Sequence, residues 1–445
     1  MIDIKIEEAL FPAIGIGVHE DKKVRVKNAI EGEIVRVRLK RKRKKVDAQR
    51  IVTLERSPLE TEAPCPHQEY CGGCLYQTLS YERELTYKEK QMKKLFSKYK
   101  DIYKGVRPVG SPDGYRNKME FTFGNMEMDG PLTLGLHVRG HFHSIVEVSE
   151  CRICDGDFRE ILTGVSKYFK DKGKVHYNRR THKGFLRHLV IRKAHTTGEI
   201  LVNLSTSSQD KLDDDLVDFL LELELEGKIK SVYHSINDGL GDTVTSDNQT
   251  ILYGRAYINE IIEGFKFKVS PSSFFQTNSL GAIELYEKAI ETLGDISSKT
   301  VFDLYSGTGT IASLLSKKAE KVYAVEIVED AVTRGREALK ENGINNVNFL
   351  QGDVFEVLDS LDYGPEIIVV DPPREGVVEK SLRKILNFSP EKFLYISCNP
   401  LTLARDLEIF EESGYKPLSI ESFDMFPRTP NLETVVLLEK GVEIN

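Results

Sequence analysis

Short apolar runs alternate with amphipathic stretches over residues 266–445. Residues 300–304, 322–325, 367–370 and 393–396 are predicted to be buried strands, and residues 311–317 and 401–410 are predicted to be helices between or after them. Strands that alternate with helices are typical of a doubly wound parallel sheet. We therefore predict an α/β domain over this part of the chain.

The first 56 residues show the pattern of strands with one exposed face. Positions 35, 37 and 39 are apolar, whereas positions 36, 38 and 40 are basic, so one face is expected to point inward and the other toward solvent or phosphate. Gly15, Gly17 and Gly32 are predicted to supply the turns. A small β-barrel is the expected fold of this segment.

Composition and charge allow two or three domains in a chain of 445 residues with 40% hydrophobic content. The predicted boundaries are 1–56, 57–265 and 266–445. Net charge is −7, yet residues 36–50 hold nine Lys or Arg and one acid, Asp47. This basic strip favours docking of a polyanion, although residues 40–45 fit a solvated loop equally well.

The sequence shows neither a signal peptide nor an apolar run of membrane-spanning length. A cytoplasmic location is therefore expected. Nothing in the pattern requires a dimer, and we expect a monomer.

Five of the six cysteines form two groups, Cys65-x5-Cys71-x2-Cys74 and Cys151-x2-Cys154. Thiolates so grouped suit an iron–sulfur cluster or a tetrahedral zinc ion, and the spacing leaves both open. Basic and aromatic residues are mixed over residues 115–123, 137–143 and 187–193. Such mixing favours single-stranded RNA, which offers phosphates and stacking bases; the alternative is that the aromatic residues belong to ordinary strands.

A glycine-containing loop, residues 305–310, follows the predicted strand 300–304. Gly307 and Gly309 would let the backbone approach a ligand, and Glu326, at the end of the next strand, could accept hydrogen bonds from ribose hydroxyls. The third glycine of a dinucleotide fingerprint is absent. The pattern thus favours S-adenosylmethionine over NAD.

Two further motifs follow buried strands: Asp371-Pro372-Pro373-Arg374 and Ser397-Cys398-Asn399-Pro400. Both should lie at the carboxyl edge of the sheet, where such folds bind ligands. A thiolate at Cys398 could add to C6 of a uracil and make C5 nucleophilic enough to take a methyl group. Glu433, at the start of the final predicted strand, is the candidate base that removes the C5 proton afterwards.

Taken together, these motifs, with residues 273–278 (SFFQTN) and 303–309 (DLYSGTG), resemble those of the RNA uracil-C5 methyltransferases over nearly the whole chain. The branch most similar modifies bacterial 23S rRNA and carries an N-terminal TRAM domain, an OB-like RNA-binding barrel. The resemblance implies a central α+β iron–sulfur domain and a C-terminal Rossmann-like methyltransferase domain. It differs at Ser306, where many relatives have Cys, and at residues 426–431 (FPRTPN), where many have histidines.

The resemblance also implies residue roles. Cys398 would be the nucleophile and Glu433 the base. The residues of the S-adenosylmethionine site would be Gln276, Tyr305, Glu326 and Asp371. The ligands of a [4Fe-4S] cluster would be Cys65, Cys71, Cys74 and Cys151, with Cys154 left over.

Three hypotheses from different classes follow. The first is a uracil-C5 methyltransferase that acts on 23S rRNA, with tRNA as the alternative substrate. The second is an RNA-binding protein that has lost catalysis, against which the presence of both Cys398 and Glu433 argues. The third is a cytosine-C5 methyltransferase, which shares the covalent step but usually presents its cysteine after Pro or Thr.

Overall fold

The computed structural model describes residues 1–42, 45–241, 243–244, 248–360 and 364–441. Across these ranges no helix combines the length and the apolar character needed to span a bilayer. Three large sheets and one two-stranded sheet organise the described chain.

The N-terminal sheet is curled and has six strands in the order β1-β5-β6-β4-β3-β2. They are β1 (Ile2–Lys5), β2 (Glu8–Leu10), β3 (Ile14–His19), β4 (Lys22–Lys27), β5 (Ile34–Lys42) and β6 (Lys45–Glu55). Val35 and Val37 are fully buried, whereas Arg36 and Arg38 are exposed. The predicted alternation is confirmed; of the basic strip, Arg43 and Lys44 lie outside the described residues.

Two glycines of this sheet have a different role from the predicted one. Gly15 and Gly17 lie inside β3, not in turns. A Cβ at Gly17 would come within 2.4 Å of the Lys5 carbonyl oxygen, so the glycine permits a close backbone approach. Only Gly32, with φ of 92°, occupies a left-handed turn as predicted.

The chain then forms helix α1 (Tyr81–Leu95), a 3-10 turn (Ser97–Tyr99) and strand β7 (Tyr103–Pro108). Sequence order places them in the middle segment, but β7 pairs in parallel with a strand of the C-terminal sheet. Met92 and Phe96 are fully buried in a core with residues of that sheet. The middle segment therefore contributes directly to the C-terminal body.

The middle sheet has seven strands in the order β10-β9-β8-β11-β12-β13-β14. Its elements are β8 (Lys118–Gly124), β9 (Thr133–Val138), β10 (His141–Glu147), α2 (Gly156–Asp171), β11 (Leu186–Lys193), β12 (Glu199–Thr206), α3 (Leu216–Leu221), β13 (Lys228–Ile236) and β14 (Asn248–Gly254). Phe121 and Phe123 are buried against α2 residues in its core. These two aromatics belong to the core and cannot stack on RNA, whereas Phe142 is 57% exposed.

A two-stranded sheet, β15 (Ile258–Ile262) and β16 (Phe265–Val269), leads into the C-terminal sheet. The elements of the latter are α4 (Ser279–Glu291), β17 (Thr300–Leu304), α5 (Thr310–Leu315), β18 (Lys321–Glu326), α6 (Glu329–Glu341), β19 (Val347–Gln351), α7 (Val354–Asp359), β20 (Ile367–Val370), α8 (Glu379–Leu386), β21 (Lys392–Ser397), α9 (Pro400–Glu412), β22 (Tyr415–Asp424) and β23 (Glu433–Lys440).

The strand order of this sheet is β19-β18-β17-β20-β21-β23-β22-β7. The strands from β19 to β21 are parallel, and β23 is antiparallel to both of its neighbours. Buried residues of α4, α5 and α6 cover one face, and those of α1, α7, α8 and α9 cover the other. The predicted doubly wound α/β architecture is thus present, and the chain reverses direction across the sheet between β17 and β20.

A buried ion cluster joins α1 to the end of β22. The Lys88 ammonium lies 2.7 Å from a Glu84 carboxylate oxygen and 2.7 Å from an Asp424 carboxylate oxygen, and all three side chains are almost fully buried. We expect Lys88→Met to lower the free energy of unfolding by about 3–5 kcal/mol, because Asp424 loses its counter-charge and Glu84 keeps only that of Arg428. Urea denaturation measures this loss.

Lys90→Met is the matched control on the same helix. Lys90 is 63% exposed and pairs with Glu31, so its loss should change the free energy of unfolding by less than about 1 kcal/mol. If both substitutions lowered the free energy of unfolding equally, the buried ion cluster would not stabilise the fold as proposed.

Candidate active site

The carboxyl edge of the C-terminal sheet gathers the polar side chains that follow its strands. Tyr305 follows β17, Glu326 ends β18, Asp371 follows β20 and Cys398 follows β21. In an open α/β sheet, ligands bind at this edge beside the point where the strand order reverses. The sheet therefore presents one candidate site here.

Cys398 and Glu433 belong to adjacent strands. Ser397 of β21 pairs with Thr434 of β23 in antiparallel register, so the next residues outward, Cys398 and Glu433, are opposite each other. Residues opposite each other in an antiparallel pair have Cα atoms about 4.5–5.5 Å apart. The topology thus brings the predicted nucleophile and the predicted base together, from positions 35 residues apart in the chain.

The loop that carries Cys398 is fixed by local hydrogen bonds. Asn399 caps α9 by accepting from the Leu401 N–H, and Pro400 occupies the first turn. The Asn399 amide also donates to the Arg374 carbonyl oxygen at 2.9 Å. The Cys398 loop and the Asp371-Pro372-Pro373-Arg374 loop are therefore tied together.

Burial and the charges around Cys398 favour the protonated form of its thiol. Burial, with the carboxylates of Glu433 and Asp371, raises the pKa of the Cys398 thiol to about 11, against a smaller opposing effect of the Arg374 guanidinium. Burial also raises the pKa of Glu433 well above its usual range, and Asp371 adds to the effect. Glu433 is 3% exposed.

The charges of Glu433 and Arg374 predict how substitutions change the pH at which the Cys398 thiol ionises. Glu433→Gln removes a carboxylate that raises the pKa of the Cys398 thiol, so the thiol should ionise at a lower pH. Arg374→Ala removes a positive charge and should raise the pH at which the thiol ionises. The pH profile of Cys398 alkylation by iodoacetamide, followed by mass spectrometry of its peptide, measures both shifts; shifts of the same sign would contradict the arrangement.

The predicted cofactor residues are linked through Tyr286, which sequence reasoning missed. The Gln276 side-chain amide donates to the Tyr286 hydroxyl at 3.1 Å, and that hydroxyl is a hydrogen-bonding neighbour of the Asp371 carboxylate. Burial raises the pKa of Asp371 to about 7, and the Tyr286 contact partly offsets the rise. Tyr286 lies on the buried face of α4, where the sequence pattern marks it only as a core aromatic.

The segment that carries Gln276 is held from two sides. The Arg334 guanidinium of α6 donates to Ser270 Oγ at 2.7 Å and to Ser273 Oγ at 3.0 Å, and Arg192 of β11 donates to the Ser273 carbonyl oxygen at 2.6 Å. A cavity of about 370 Å³, lined in part by these serines and by Thr308 of the glycine loop, lies beside it. The middle sheet and α6 together fix this wall of the site.

The glycine loop has the backbone that its sequence predicts. Tyr305, Gly307 and Gly309 all have positive φ, at 63°, 56° and 81°. Glu326 Oε2 accepts a hydrogen bond from the Gly307 N–H at 2.9 Å. A carboxylate oxygen can accept more than one hydrogen bond, so Glu326 can hold the loop and still bind a hydroxyl.

Gly309 and Gly307 should respond differently to alanine. A Cβ at Gly309 would lie 2.5 Å from Phe349 Cζ, whereas a Cβ at Gly307 would meet no described atom within 4 Å. We expect Gly309→Ala to lose about 1–3 kcal/mol more stability than Gly307→Ala, because of overpacking. Thermal unfolding of the ligand-free protein compares them, and equal melting temperatures would contradict the close contact.

Four cysteines meet in the middle segment. Cys65, Cys71, Cys74 and Cys151 line one small cavity, as the sequence grouping predicts, and Cys154 is buried beside Cys151. In the described ranges, no three His, Cys, Asp or Glu side chains surround a point closely enough to hold a single metal ion. The four thiols thus share one cavity.

Hydrogen-bond donors surround these thiols. The Gly73 N–H donates to Cys71 Sγ, and the Gln77 amide donates to Cys74 Sγ. Burial raises the pKa of Cys74 to about 12, with the neighbouring thiols adding to the rise, whereas the Cys154 thiol lowers the pKa of Cys151 to about 7 by a hydrogen bond. Repulsion among thiolates that are gathered this closely favours a positively charged group between them.

In the C-terminal sheet, an antiparallel strand lies beside the last parallel one. This strand order and the ligand edge described above define a Rossmann-like methyltransferase. A family model described as tRNA (Uracil-5-)-methyltransferase matches residues 242–441. An uncharacterized RNA methyltransferase of Clostridium tetani is 43% identical over 443 residues, with 98% of this chain and 97% of the relative covered. One of Clostridium acetobutylicum is 44% identical over 442 residues, with 98% and 97% covered.

Among solved structures, the Pyrococcus abyssi tRNA (uracil-54, C5)-methyltransferase in complex with S-adenosyl-L-homocysteine superposes with a TM-score of 0.78. It is 26% identical, and the match covers 98% of this chain and 100% of that one. The chain belongs to the S-adenosylmethionine-dependent RNA uracil-C5 methyltransferase family.

Proposed function

We propose that the protein methylates C5 of a uridine in RNA through a covalent bond between Cys398 and C6 of the base. The observation that carries the proposal is the placement of Cys398 opposite Glu433, with Asp371 beside them, at the ligand edge of the sheet. Cys398 gives its proton to solvent, and the thiolate, which the Arg374 guanidinium stabilises, adds to C6. The electron pair of the C5–C6 π bond then becomes available at C5. C5 then takes the methyl group of S-adenosylmethionine, which leaves as S-adenosylhomocysteine.

Release of the product requires a base. After methyl transfer, C5 carries both its hydrogen and the new methyl group, and Cys398 is still bonded to C6. Glu433 removes the C5 proton, the C5–C6 double bond forms again and the thiolate leaves with the bonding electrons. Burial raises the pKa of Glu433, which makes its carboxylate a stronger base than that of an exposed glutamate.

The residues at the sheet edge fit the methyl donor. Tyr305 and the glycine loop offer backbone that can approach a ligand closely, Glu326 can accept from ribose hydroxyls, and Gln276 and Asp371 are connected through Tyr286 near Cys398. We assign Gln276, Tyr305, Glu326 and Asp371 to S-adenosylmethionine binding. The donor would thus lie between the glycine loop and Cys398.

For the cysteine cavity we propose a [4Fe-4S] cluster held by Cys65, Cys71, Cys74 and Cys151. The shared cavity of the four thiols and the hydrogen-bond donors to Cys71 and Cys74 support this assignment. The cluster would supply a rigid link between distant parts of the chain. Anaerobically purified protein should be coloured and contain iron, and a colourless protein that contains zinc would refute the assignment.

The substrate proposed first is 23S rRNA, on the basis of the sequence resemblance. The second candidate is tRNA, because the Pyrococcus relative that matches the whole chain acts on tRNA. The domain assignments stay predictions: a TRAM-like RNA-binding barrel for residues 1–56, an iron–sulfur domain for 57–265 and the methyltransferase domain for 266–445. The monomeric state and the cytoplasmic location also stay predictions.

Covalent trapping with fluorinated RNA tests mechanism and substrate together. Transcripts of 23S rRNA fragments and of tRNA, made with 5-fluorouridine, are incubated with the protein and S-adenosylmethionine and separated on a denaturing gel. Fluorine at C5 does not leave as a proton does, so the enzyme should stay bonded to its substrate RNA. A shifted band with one RNA supports that substrate, and no band with any RNA, from protein that binds S-adenosylmethionine, would refute the proposal.

A further inference from the structure

The backbone carbonyl groups of the turn that precedes Glu433, residues 425–432, accept hydrogen bonds from three distant segments of the chain. Its carbonyl oxygens accept from other elements at Met425 (from the Asn278 amide, 2.9 Å), at Pro427 (from the Tyr115 hydroxyl, 3.0 Å) and at Arg428 (from the N–H groups of Leu75, 2.8 Å, and Tyr76, 3.0 Å). Leu75 and Tyr76 directly follow Cys74. The turn therefore connects the cysteine-bearing segment with the strand that begins at Glu433.

Arg428 is the centre of this connection. It is 7% exposed and has a φ of 68°, in the left-handed region that few residues other than glycine adopt. Its N–H donates to Glu84 Oε1 at 2.7 Å, and its guanidinium donates to the Leu79 carbonyl oxygen at 2.9 Å and lies 3.3 Å from Glu84 Oε2. Glu84 in turn binds the buried Lys88. An unusual backbone conformation that is held by so many contacts points to a functional constraint.

The path from Arg428 to Glu433 is short and stiff. Thr429 Oγ1 donates to the Phe426 carbonyl oxygen at 2.8 Å and accepts from the Asn431 N–H at 3.3 Å. Prolines at 427 and 430 fix φ at two positions. Leu432 is fully buried in the core of the sheet. A shift of the backbone at Arg428 should therefore also shift Glu433.

Glu433 depends on this path for its position. Its carboxylate receives no side-chain hydrogen bond from the residues that the structure describes, and its neighbours Asp371 and Arg374 act on it only through their charge. The position of the carboxylate is therefore determined by the backbone at the start of β23. Proton removal is sensitive to such placement, since a misplacement of 1 Å can lower a rate on the order of 10²-fold.

We propose that Arg428 is a positioning residue for Glu433 and that it makes the segment after Cys74 part of the support of this base. The inference rests on the proposed function and deepens it. It would give a cysteine-bound group a role without a redox step: thiolates held together would fix Leu75 and Tyr76, whose N–H groups donate to the Arg428 carbonyl oxygen. A loss at Arg428 should therefore impair the elimination step and leave methyl transfer intact.

The test separates the two steps in the full-length, anaerobically purified protein. Single turnovers with the RNA identified by trapping, without fluorine, measure S-adenosylhomocysteine formation and the fraction of RNA still covalently bound. Arg428→Gly removes the guanidinium and keeps a residue that tolerates the positive φ. We expect wild-type S-adenosylhomocysteine formation, release slowed on the order of 10²-fold, and partial restoration by Arg428→Lys.

Arg383→Ala is the matched control, because Arg383 forms an exposed ion pair with Glu379 and Glu412 on α8 and α9. It should behave as wild type. If Arg428→Gly slows both steps equally, or slows neither, the positioning role is refuted. If no variant, wild type included, forms S-adenosylhomocysteine, the proposed function itself has failed.

Hydrogen exchange supplies a readout that does not depend on activity. Arg428→Gly should speed exchange at the Leu75 and Tyr76 amides and at the start of β23, and Arg383→Ala should leave all of these amides unchanged. Unchanged protection in Arg428→Gly would refute the coupling between the cysteine segment and the base, whatever the protein methylates.

Discussion

Replacement of Cys398 by alanine will abolish methyl transfer to uridine while S-adenosylmethionine binding is retained. The C5 position of a uracil is a weak nucleophile until a thiolate has added to C6, so the variant lacks the step that makes the reaction possible. Loss of a covalent nucleophile lowers turnover on the order of 10⁴-fold or more. Transfer of labelled methyl groups to RNA measures the loss, and calorimetry with S-adenosylhomocysteine measures cofactor-site binding.

The matched control for this substitution is Cys154→Ala, which removes a buried cysteine outside both the catalytic pair and the proposed cluster ligands. It should retain methylation. Residual methylation by Cys398→Ala at the level of this control would refute covalent catalysis. Cellular function preserved in Cys398→Ala would instead favour the non-catalytic RNA-binding hypothesis, and transfer to cytidine in otherwise identical RNA would favour the cytosine alternative.

The strands of the C-terminal sheet could be predicted because they are buried on both faces. Apolar runs that end at Leu304 and Val370 predict β17 and β20 to the residue, since a short apolar run that is bounded by turn residues favours a buried strand. Their shared carboxyl edge then places Asp371 and Cys398 near each other. The sequence alone is therefore informative wherever the chain alternates regularly between strand and helix.

Long-range partners could not be predicted in the same way. Nothing in residues 103–108 shows that β7 pairs with β22, more than 300 residues later, because a strand's own pattern reveals its buried face but not its neighbour. Gly15 and Gly17 gave a wrong prediction for a related reason. In a sequence, a glycine that lets a neighbouring backbone approach closely cannot be distinguished from a glycine that forms a turn, because the neighbouring strand is not yet known.

Electrostatics at the site also lay beyond sequence reasoning. The residues Cys398, Glu433 and Asp371 were identified by their motifs, but the pKa of each is raised mainly by burial, a property of the folded surroundings. The contribution of Tyr286 depends on a contact between α4 and the Asp371 loop. Chemistry that depends on burial and on contacts between elements becomes visible only in the assembled structure.

Replacement of Glu433 by glutamine will trap the enzyme on its RNA after methyl transfer. Glutamine has nearly the same shape but cannot remove the C5 proton, so the bond between Cys398 and C6 persists. We expect S-adenosylhomocysteine to form in about one equivalent per enzyme, and a denaturing gel to show labelled methyl groups in a protein–RNA adduct. Release should slow on the order of 10²–10⁴-fold, the usual contribution of a general base.

Glu439→Gln, at an exposed position of the same strand, is the matched control and should turn over as wild type. In the wild-type enzyme, elimination should become faster as pH rises through the raised pKa of Glu433, because the protonated carboxyl cannot accept a second proton. The Glu433→Gln adduct should not show that dependence. Multiple turnovers by Glu433→Gln would mean that another group removes the proton, and the assignment of the base would then be wrong even if Cys398 is the nucleophile.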